Sequence, residues 1–569
     1  MNAERLLTHY ERIADEPDAI ARLRRFILDL AVRGKLVPQD AGDGPVSELL
    51  KRIAKEKARL VKAGEIRKPA RSTPIRDDEL PISVPKTWAW VRLHEIGVIS
   101  GGMTPSMNRS DFWGGNIVWL SPKDVKADEV SDSELKITTK GLKETRLETY
   151  RSGSLFMVAR SGILKRIFPV SINRVPAAAN QDMKVLVPFL HGHERYLQIM
   201  FRGLTDFILR ELVKTGTTVQ SLKYSEFEQQ PFPLPPLAEQ HRIVTKVDEL
   251  MALCDRLEAT RAERESLRDR LAAASLARLN APGTKTFQAD THFALKALPA
   301  LTTRPDQIKQ LRQMILDLAV RGKLVPQDPT DKAVRLPPPR QFAAASGIDD
   351  EVFEQSRESI ALPSGWQIAP LARLSEHIVD CPHTTPKWTD HGEICIRTNQ
   401  LRARSLDLTQ PRYVSPETYL ERIDRLEPRA DDILYSREGG ILGIACRVPK
   451  GTRLCLGQRL MLIRVGAGTR ADFLEIVLNS PFITNIAKAR TTGGAAPRVN
   501  MSTVRAYPIP VPPLVEQRRI VARADELMVL CDRLEASLND SDDTRRRLLD
   551  ALLAEALAPE DVRETEAAK

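Results

Sequence analysis

Residues Ile27–Asp40 read ILDLAVRGKLVPQD, and residues Ile315–Asp328 read the same letters again. A second stretch, Pro235–Ala259 (PPLAEQHRIVTKVDELMALCDRLEA), returns as Pro512–Ala536 (PPLVEQRRIVARADELMVLCDRLEA). The first repeat carries Ile27 to Ile315, an offset of 288, and the second carries Leu237 to Leu514, an offset of 277. Between the repeated blocks lie two long inserts whose side chains differ, although Trp88 and Trp366, Arg160 and Arg437, and Gln181 and Gln458 stay near the second offset. The frame is therefore duplicated around two nearly colinear inserts, which implies one fold used twice with different surfaces.

The repeated blocks have helical periods. Ile20, Leu23, Ile27 and Leu30 share one face at spacings of three and four, Gly34 supplies a C-terminal signal, and Pro38 blocks continuation. Ile308, Leu311, Ile315, Leu318 and Gly322 repeat that pattern. After Pro236, the residues Ile243, Val247, Leu250, Cys254 and Leu257 step by four and three, as do Ile520, Ala524, Leu527, Cys531 and Leu534 after Pro513. This spacing predicts long helices over 237–278 and 514–555 with a coiled-coil seam. A basic helical stretch over 46–69 has no counterpart in the second unit, which accounts for the change of offset. Short β-rich runs punctuate both inserts: Ile117–Leu120, Leu155–Ala159, Lys184–Val187, Ile433–Ser436 and Met461–Val465. The fold class expected is α+β, with two similar globular α/β domains and two long helices.

The expected boundaries are an N-terminal helical region over 1–82, a first insert over 83–232, and a central helical region with linker over 233–328. A linker over 329–360, a second insert over 361–509, a C-terminal helical region over 510–558 and a disordered tail over 559–569 follow. The chain has 569 residues, too many for one core. Its charged N-terminus is no secretory signal, no apolar run is long enough to span a membrane, and its six cysteines form no C-x-x-C pair. Reduced, buried thiols in a cytoplasmic protein are expected. The net charge of +10 favours a polyanionic partner without identifying one.

Enzyme motifs are missing from the sequence. There is no phosphate-cradling G-x-x-x-x-G-K-[ST], no G-x-G-x-x-G after a strand, no H-E-x-x-H, and no Asn/Asp-Pro-Pro-aromatic tetrapeptide. Cys381 and His383, within DCPHTTPKWTD, lack further ligands at metal-site spacing, and a tight loop near a binding surface is the better reading. No metal site, catalytic residue or cofactor site is therefore assigned.

The first insert opens VPKTWAWVRLHEIGVISGGMTPSMNRSDFWGGNIVWLSPKDV and closes TGTTVQSLKYSEFEQQPFPLPPLAEQ. With RGKLVPQD and the duplicated P-P-L-x-E-Q, these segments resemble the specificity subunit of type I restriction–modification enzymes over residues 20 to 555. The resemblance implies two target recognition domains, each reading one half of a split, non-palindromic double-stranded DNA site. It implies two long helices that pair antiparallel about a pseudo-twofold axis, space the domains and dock methyltransferase subunits, two of them. Those subunits would methylate adenine with S-adenosylmethionine, and a motor–nuclease subunit using ATP and magnesium could join them. The chain itself would be non-catalytic.

Direct readout uses Arg or Lys on guanine and Asn or Gln on adenine. Candidates at loop-like positions are Lys123, Arg160, Lys165, Arg166 and Gln181 in the first insert, and Arg397, Asn399, Gln400, Arg437 and Arg498 in the second. Arg160 and Arg437, as repeat equivalents, suggest a shared structural or phosphate-contacting role. The helix stripe Ile243, Val247, Leu250, Cys254, Leu257, Ile520, Leu527, Cys531 and Leu534 is the candidate packing and docking surface. Two other readings compete: a self-contained DNA-modifying enzyme, and a coiled-coil scaffold with no DNA role.

Overall fold

The computed structural model describes residues 16, 18–67, 73–216, 219–280, 304–332, 334–336, 338, 348–492 and 497–557. The linker expected over Ala281–Asp306 lies almost wholly, and the tail from Pro559 wholly, outside these residues. Two compact units result: 1–263 with 544–569, and 264–543.

In the first unit, α1 (Ala19–Val32) buries Ile20, Leu23 and Ile27. It ends in a Schellman turn, with the Gly34 amide on Ala31 O, the Lys35 amide on Leu30 O, and Gly34 at φ +66°. The insert contains β1 (Ala89–Val91), β2 (Gly97–Gly101), β3 (Trp113–Leu120), β4 (Leu155–Val158), β5 (Val170–Asn173), β6 (Ala177–Ala179) and β7 (Met183–Pro188). After these come α2 (Glu194–Gly203), β8 (Phe232–Leu234) and the long α3 (Leu237–Asn280). The main sheet runs β2–β7–β4–β5, closed by the short strand Glu129–Val130. A smaller sheet pairs β3 parallel to β6, with Val118 opposite Ala177 and Leu120 opposite Ala179. Strand β1 pairs antiparallel with β8, closing the insert at its root.

The second unit repeats this plan. Its elements are α4 (Pro305–Val320), β9 (Gln367–Pro370), β10 (Ser375–Asp380), β11 (Glu393–Ile396), β12 (Ile433–Ser436), β13 (Ala445–Arg447), β14 (Leu454–Leu456), β15 (Leu460–Val465), α5 (Ala471–Asn479), β16 (Pro508–Val511) and α6 (Leu514–Leu557). The main sheet runs β10–β15–β12–β13, β11 lies parallel to β14, and β9 pairs with β16. The four central strands of the main sheet, the parallel pair and the root pair repeat those of the first unit, whereas the edge strand Glu129–Val130 has no counterpart in the second unit's main sheet. The β-rich runs Ile117–Leu120, Leu155–Ala159, Lys184–Val187, Ile433–Ser436 and Met461–Val465 fall on β3, β4, β7, β12 and β15.

The duplicated motifs fasten each insert to its frame. The Trp88 indole N–H donates to Glu239 Oε2 at 2.9 Å, and Gln39 Nε2 donates to Glu239 Oε1 at 2.6 Å. The Trp366 indole donates to Glu516 at 3.0 Å, and Gln327 donates to Glu516 at 2.6 Å. Arg242 pairs with Asp43 and Arg519 with Asp331. A Cβ at Gly34 would lie 2.5 Å from Pro85 Cγ, and one at Gly322 would lie 2.4 Å from Pro363 Cγ. RGKLVPQD, the tryptophan after the proline, and P-P-L-x-E-Q are thus three sides of one buried junction.

Two expectations need correction. The stripe assigned to pairing between the long helices packs inside each unit. Ile243, Val247 and Cys254 belong to the first unit's core, with Leu250 and Leu257 packed against it. Ile520, Leu527 and Cys531 belong to the second unit's core, with Leu534 packed against it. Arg24 of α1 bonds Asp255 and Glu258 of α3, and Arg312 of α4 bonds Asp532 and Glu535 of α6. A heptad-like stripe marks the face that packs, and here it packs into its own unit's core, with the short repeated helix ion-paired alongside. The segment expected as a linker over 329–360 is folded in part: Asp349 caps a helix over Asp350–Arg357, and Val352 and Ile360 are buried. The basic stretch over 46–69 forms a helix at Val46–Lys62, and the second unit, expected to lack this element, carries the shorter helix Asp350–Arg357 between its repeated helix and its insert.

All six cysteines are buried and unpaired. Burial pushes the Cys531 thiol up to about 11. Among the described residues, no helix is long and apolar enough to cross a membrane.

Candidate nucleic-acid interface

Parallel strands β3 and β6 end side by side, and the chain leaves both ends in loops. The Asn180 amide donates to Leu120 O at 2.9 Å, which ties the turn after β6 to the end of β3. The Met103 amide donates to Ala179 O at 2.9 Å, bringing in the loop after β2. Gly102 permits this approach, because a Cβ there would sit 2.1 Å from Ala179 O. The Ala159 and Arg160 amides both donate to Asp182 O, at 2.8 and 3.1 Å. Ser221 pairs with Arg160, so a fifth segment joins the group. Loops near 104, 123, 160, 181 and 221 therefore share one end of the insert.

The second unit builds the same cluster. The Gly457 amide donates to Ile396 O at 2.8 Å, and the Cys381 amide to Leu460 O at 3.0 Å. The Val499 amide donates to Arg437 O at 2.9 Å. Of the ten candidates for base or phosphate contact, five thus lie at this end in each unit. Sequence reasoning had no means of placing them together; the parallel pairing does it.

Their exposure differs. Lys123, Arg160, Lys165, Arg166, Gln181, Arg397, Asn399 and Arg498 are exposed. The Thr104 hydroxyl bonds Gln181. Gln400 and Arg437 are buried and engaged within the protein, unlike the open loop positions assigned to them. Gln400 Oε1 accepts from the Arg397 amide at 2.9 Å, closing the turn Thr398–Gln400. Arg437 bonds both carboxylate oxygens of Asp380 and donates to Val499 O at 3.2 Å. The shared role suggested for Arg160 and Arg437 does not hold in this geometry: Arg160 faces solvent and Arg437 is a strut. The difference comes from Asp380 on β10, because Gly101 and Gly102 occupy the corresponding stretch after β2.

Both units hold the loop after the first sheet strand by its carbonyls. In the first, Tyr150 Oη donates to Gly101 O at 2.7 Å, and the Trp119 and Trp113 indoles donate to Met103 O at 3.0 Å and Ser106 O at 3.1 Å. In the second, Arg425 donates to Asp380 O at 3.1 Å, Gln458 to His383 O at 2.9 Å, and Arg422 to Thr384 O at 2.6 Å. Arg422 and Arg425 escaped the sequence reading because they lie far from the loop in the chain. Trp388 was likewise missed; Arg412 stacks over its ring at 4.7 Å and Arg397 at 5.9 Å. The Cys381 thiol sits in an apolar cluster and is raised by burial, whereas the exposed His383 contacts Asp380 at 3.1 Å. Among the described residues, no group of three His, Cys, Asp or Glu side chains is arranged to hold a metal.

Two like-folded inserts, each gathering exposed basic and amide side chains at one loop end, fit a protein that reads two segments of DNA. The family model described as "Type I restriction modification DNA specificity domain" matches residues 85–264 and 408–541. The chain belongs to this family, as a specificity subunit of a type I restriction–modification system. It is 28% identical over 566 residues to the type I restriction enzyme EcoEI specificity subunit of Escherichia coli, covering 95% of this chain and 94% of that one. It is 28% identical to the EcoAI specificity subunit of Escherichia coli over 561 residues, with the same coverage. Over 165 residues it is 36% identical to the EcoR124I/EcoR124II specificity subunit of Escherichia coli, covering 29% of this chain and 41% of that one.

Proposed function

We propose that each insert reads one half of a bipartite, asymmetric double-stranded DNA site through its loop end. The observation that carries this reading is the repetition of one loop architecture with different side chains. Like folds give the two readers comparable geometry, while direct readout follows the side chains. Arg160 and Gln181 in one unit, and Arg397, Asn399 and Arg498 in the other, are the exposed groups suited to base edges. The long helices α3 and α6 pair antiparallel, set the spacing of the half-sites and dock two methyltransferase subunits.

Chemistry belongs to the partners. Methyltransferase subunits would supply S-adenosylmethionine and transfer its methyl group to adenine, and a motor–nuclease subunit would use ATP and magnesium. This chain contributes no catalytic group; its buried cysteines and engaged carboxylates serve the fold. The complex would act in the cytoplasm. Family membership favours neither the self-contained enzyme nor the scaffold.

The test compares the purified chain with the chain assembled with its methyltransferase subunits. The expected result is no methyl transfer or cleavage by the chain alone, and adenine methylation at a split site by the assembly. Turnover by the purified chain alone would refute the assignment.

A further inference from the structure

A groove of about 870 Å³ in the first unit runs between α1 and the segments that follow the candidate loops. Phe26, Phe168 and Pro169 are among its lining residues. Most of its cations are already spoken for. Arg22 pairs with Asp550, Arg24 with Asp255 and Glu258, Arg33 with Asp29, Arg202 with Asp128, and Arg210 with Glu211. Three are not: Arg25, Lys126 and Arg166 line the groove, are exposed, and make no ion pair among the described residues. The acidic lining residues Asp29 and Asp128 are neutralised by the pairs just named, and Asp206 alone remains unpaired against these three cations.

Position adds a second argument. Lys126 closes the turn that carries Lys123, its amide donating to Asp124 O at 3.0 Å. Arg166 directly follows Lys165 at the end of the turn Gly162–Lys165. The groove is therefore continuous with the loop end of the first unit, and its excess charge is positive.

We propose that this groove is a phosphate track, taking the DNA backbone that flanks the bases read by the first insert. The inference rests on the DNA-reading assignment above and extends it. Cations held without carboxylate partners can neutralise phosphates at no cost in broken ion pairs, and each neutralised phosphate releases counterions. Such contacts fix the register of the duplex and carry no base identity.

The assembled complex with its methyltransferase subunits tests this by duplex binding over a range of salt concentrations, using a target duplex and an unrelated one. Arg25→Gln, Lys126→Gln and Arg166→Gln should each lower the slope of log K against log salt by about 1, equally on both duplexes. The methylated sequence should stay the same. Lys51→Gln with Lys55→Gln, exposed cations outside the groove on the helix Val46–Lys62, removes similar charge and should leave the slope at its wild-type value. An unchanged slope in the triple groove variant would overturn the track, as would an equal loss in the Lys51/Lys55 control. Release of methyltransferase subunits by the groove variants would also overturn it, assigning the groove to protein docking. If the wild-type complex bound and methylated no duplex, the DNA-reading assignment itself would fail, a result separable from failure of the groove.

Discussion

Arg160 and Arg437 hold equivalent places in the repeat and have different surroundings. Arg437 is 7% exposed and bonded to Asp380 and Val499 O, so Arg437→Ala would strand a mostly buried carboxylate. A loss of about 3 kcal/mol is expected, read by urea unfolding. Arg160→Ala, at an exposed site, should change stability by less than about 0.5 kcal/mol and act on DNA binding instead. No local signal separates the two arginines, because what differs is a residue on another strand. Glu239 and Glu516 were quoted in the sequence only as repeat letters, and the fold makes them the acceptors of the frame. Burial raises both carboxyls above their ordinary range, against the opposing pull of their glutamine and tryptophan donors. The folded state therefore binds more protons than the unfolded chain just above the ordinary carboxylate pKa. Stability from this source is full below the unfolded pKa and falls as pH rises through the folded one. Glu239→Gln cannot ionise, so its stability should fall less than wild type as pH rises above the ordinary glutamate value of about 4.3. Thermal melts at stepped pH check this; parallel curves for the two proteins would refute it.

At the scale of elements, the duplicated blocks were legible because helix periods and colinear offsets survive divergence of side chains. The strands were legible too, as buried apolar runs. What the stripe Ile243–Leu257 could not reveal was its partner. Periodicity marks a packing face, and only the fold shows that this face belongs to each unit's own core. Ile243 and Ile520 are fully buried in their own units. Ile520→Ala should cost about 3 kcal/mol and destabilise the second unit's core. Limited proteolysis should then show earlier cleavage in 361–509 than in 83–232; equal or reversed susceptibility would contradict the placement of the stripe. The candidate interface was legible only as a set of residue types. Its assembly depends on the β3–β6 and β11–β14 pairings, which join segments about 60 residues apart.

For the whole molecule, the account divides labour between readers and frame. Each insert is closed at its root by one short strand pair and clamped by one tryptophan–glutamate bond, so it can change its surface without disturbing the junction. Each long helix gives its first turns to one unit and its last turns to the other. Altering the length of 238–305 should therefore change the spacer between half-sites and leave their bases unchanged. The measurement that bears most directly on the central claim is methylome sequencing of a strain in which residues 85–232 are replaced by the corresponding insert of a related specificity subunit. The account predicts one new half-site beside one retained half-site. A change in both halves, or in neither, would contradict it.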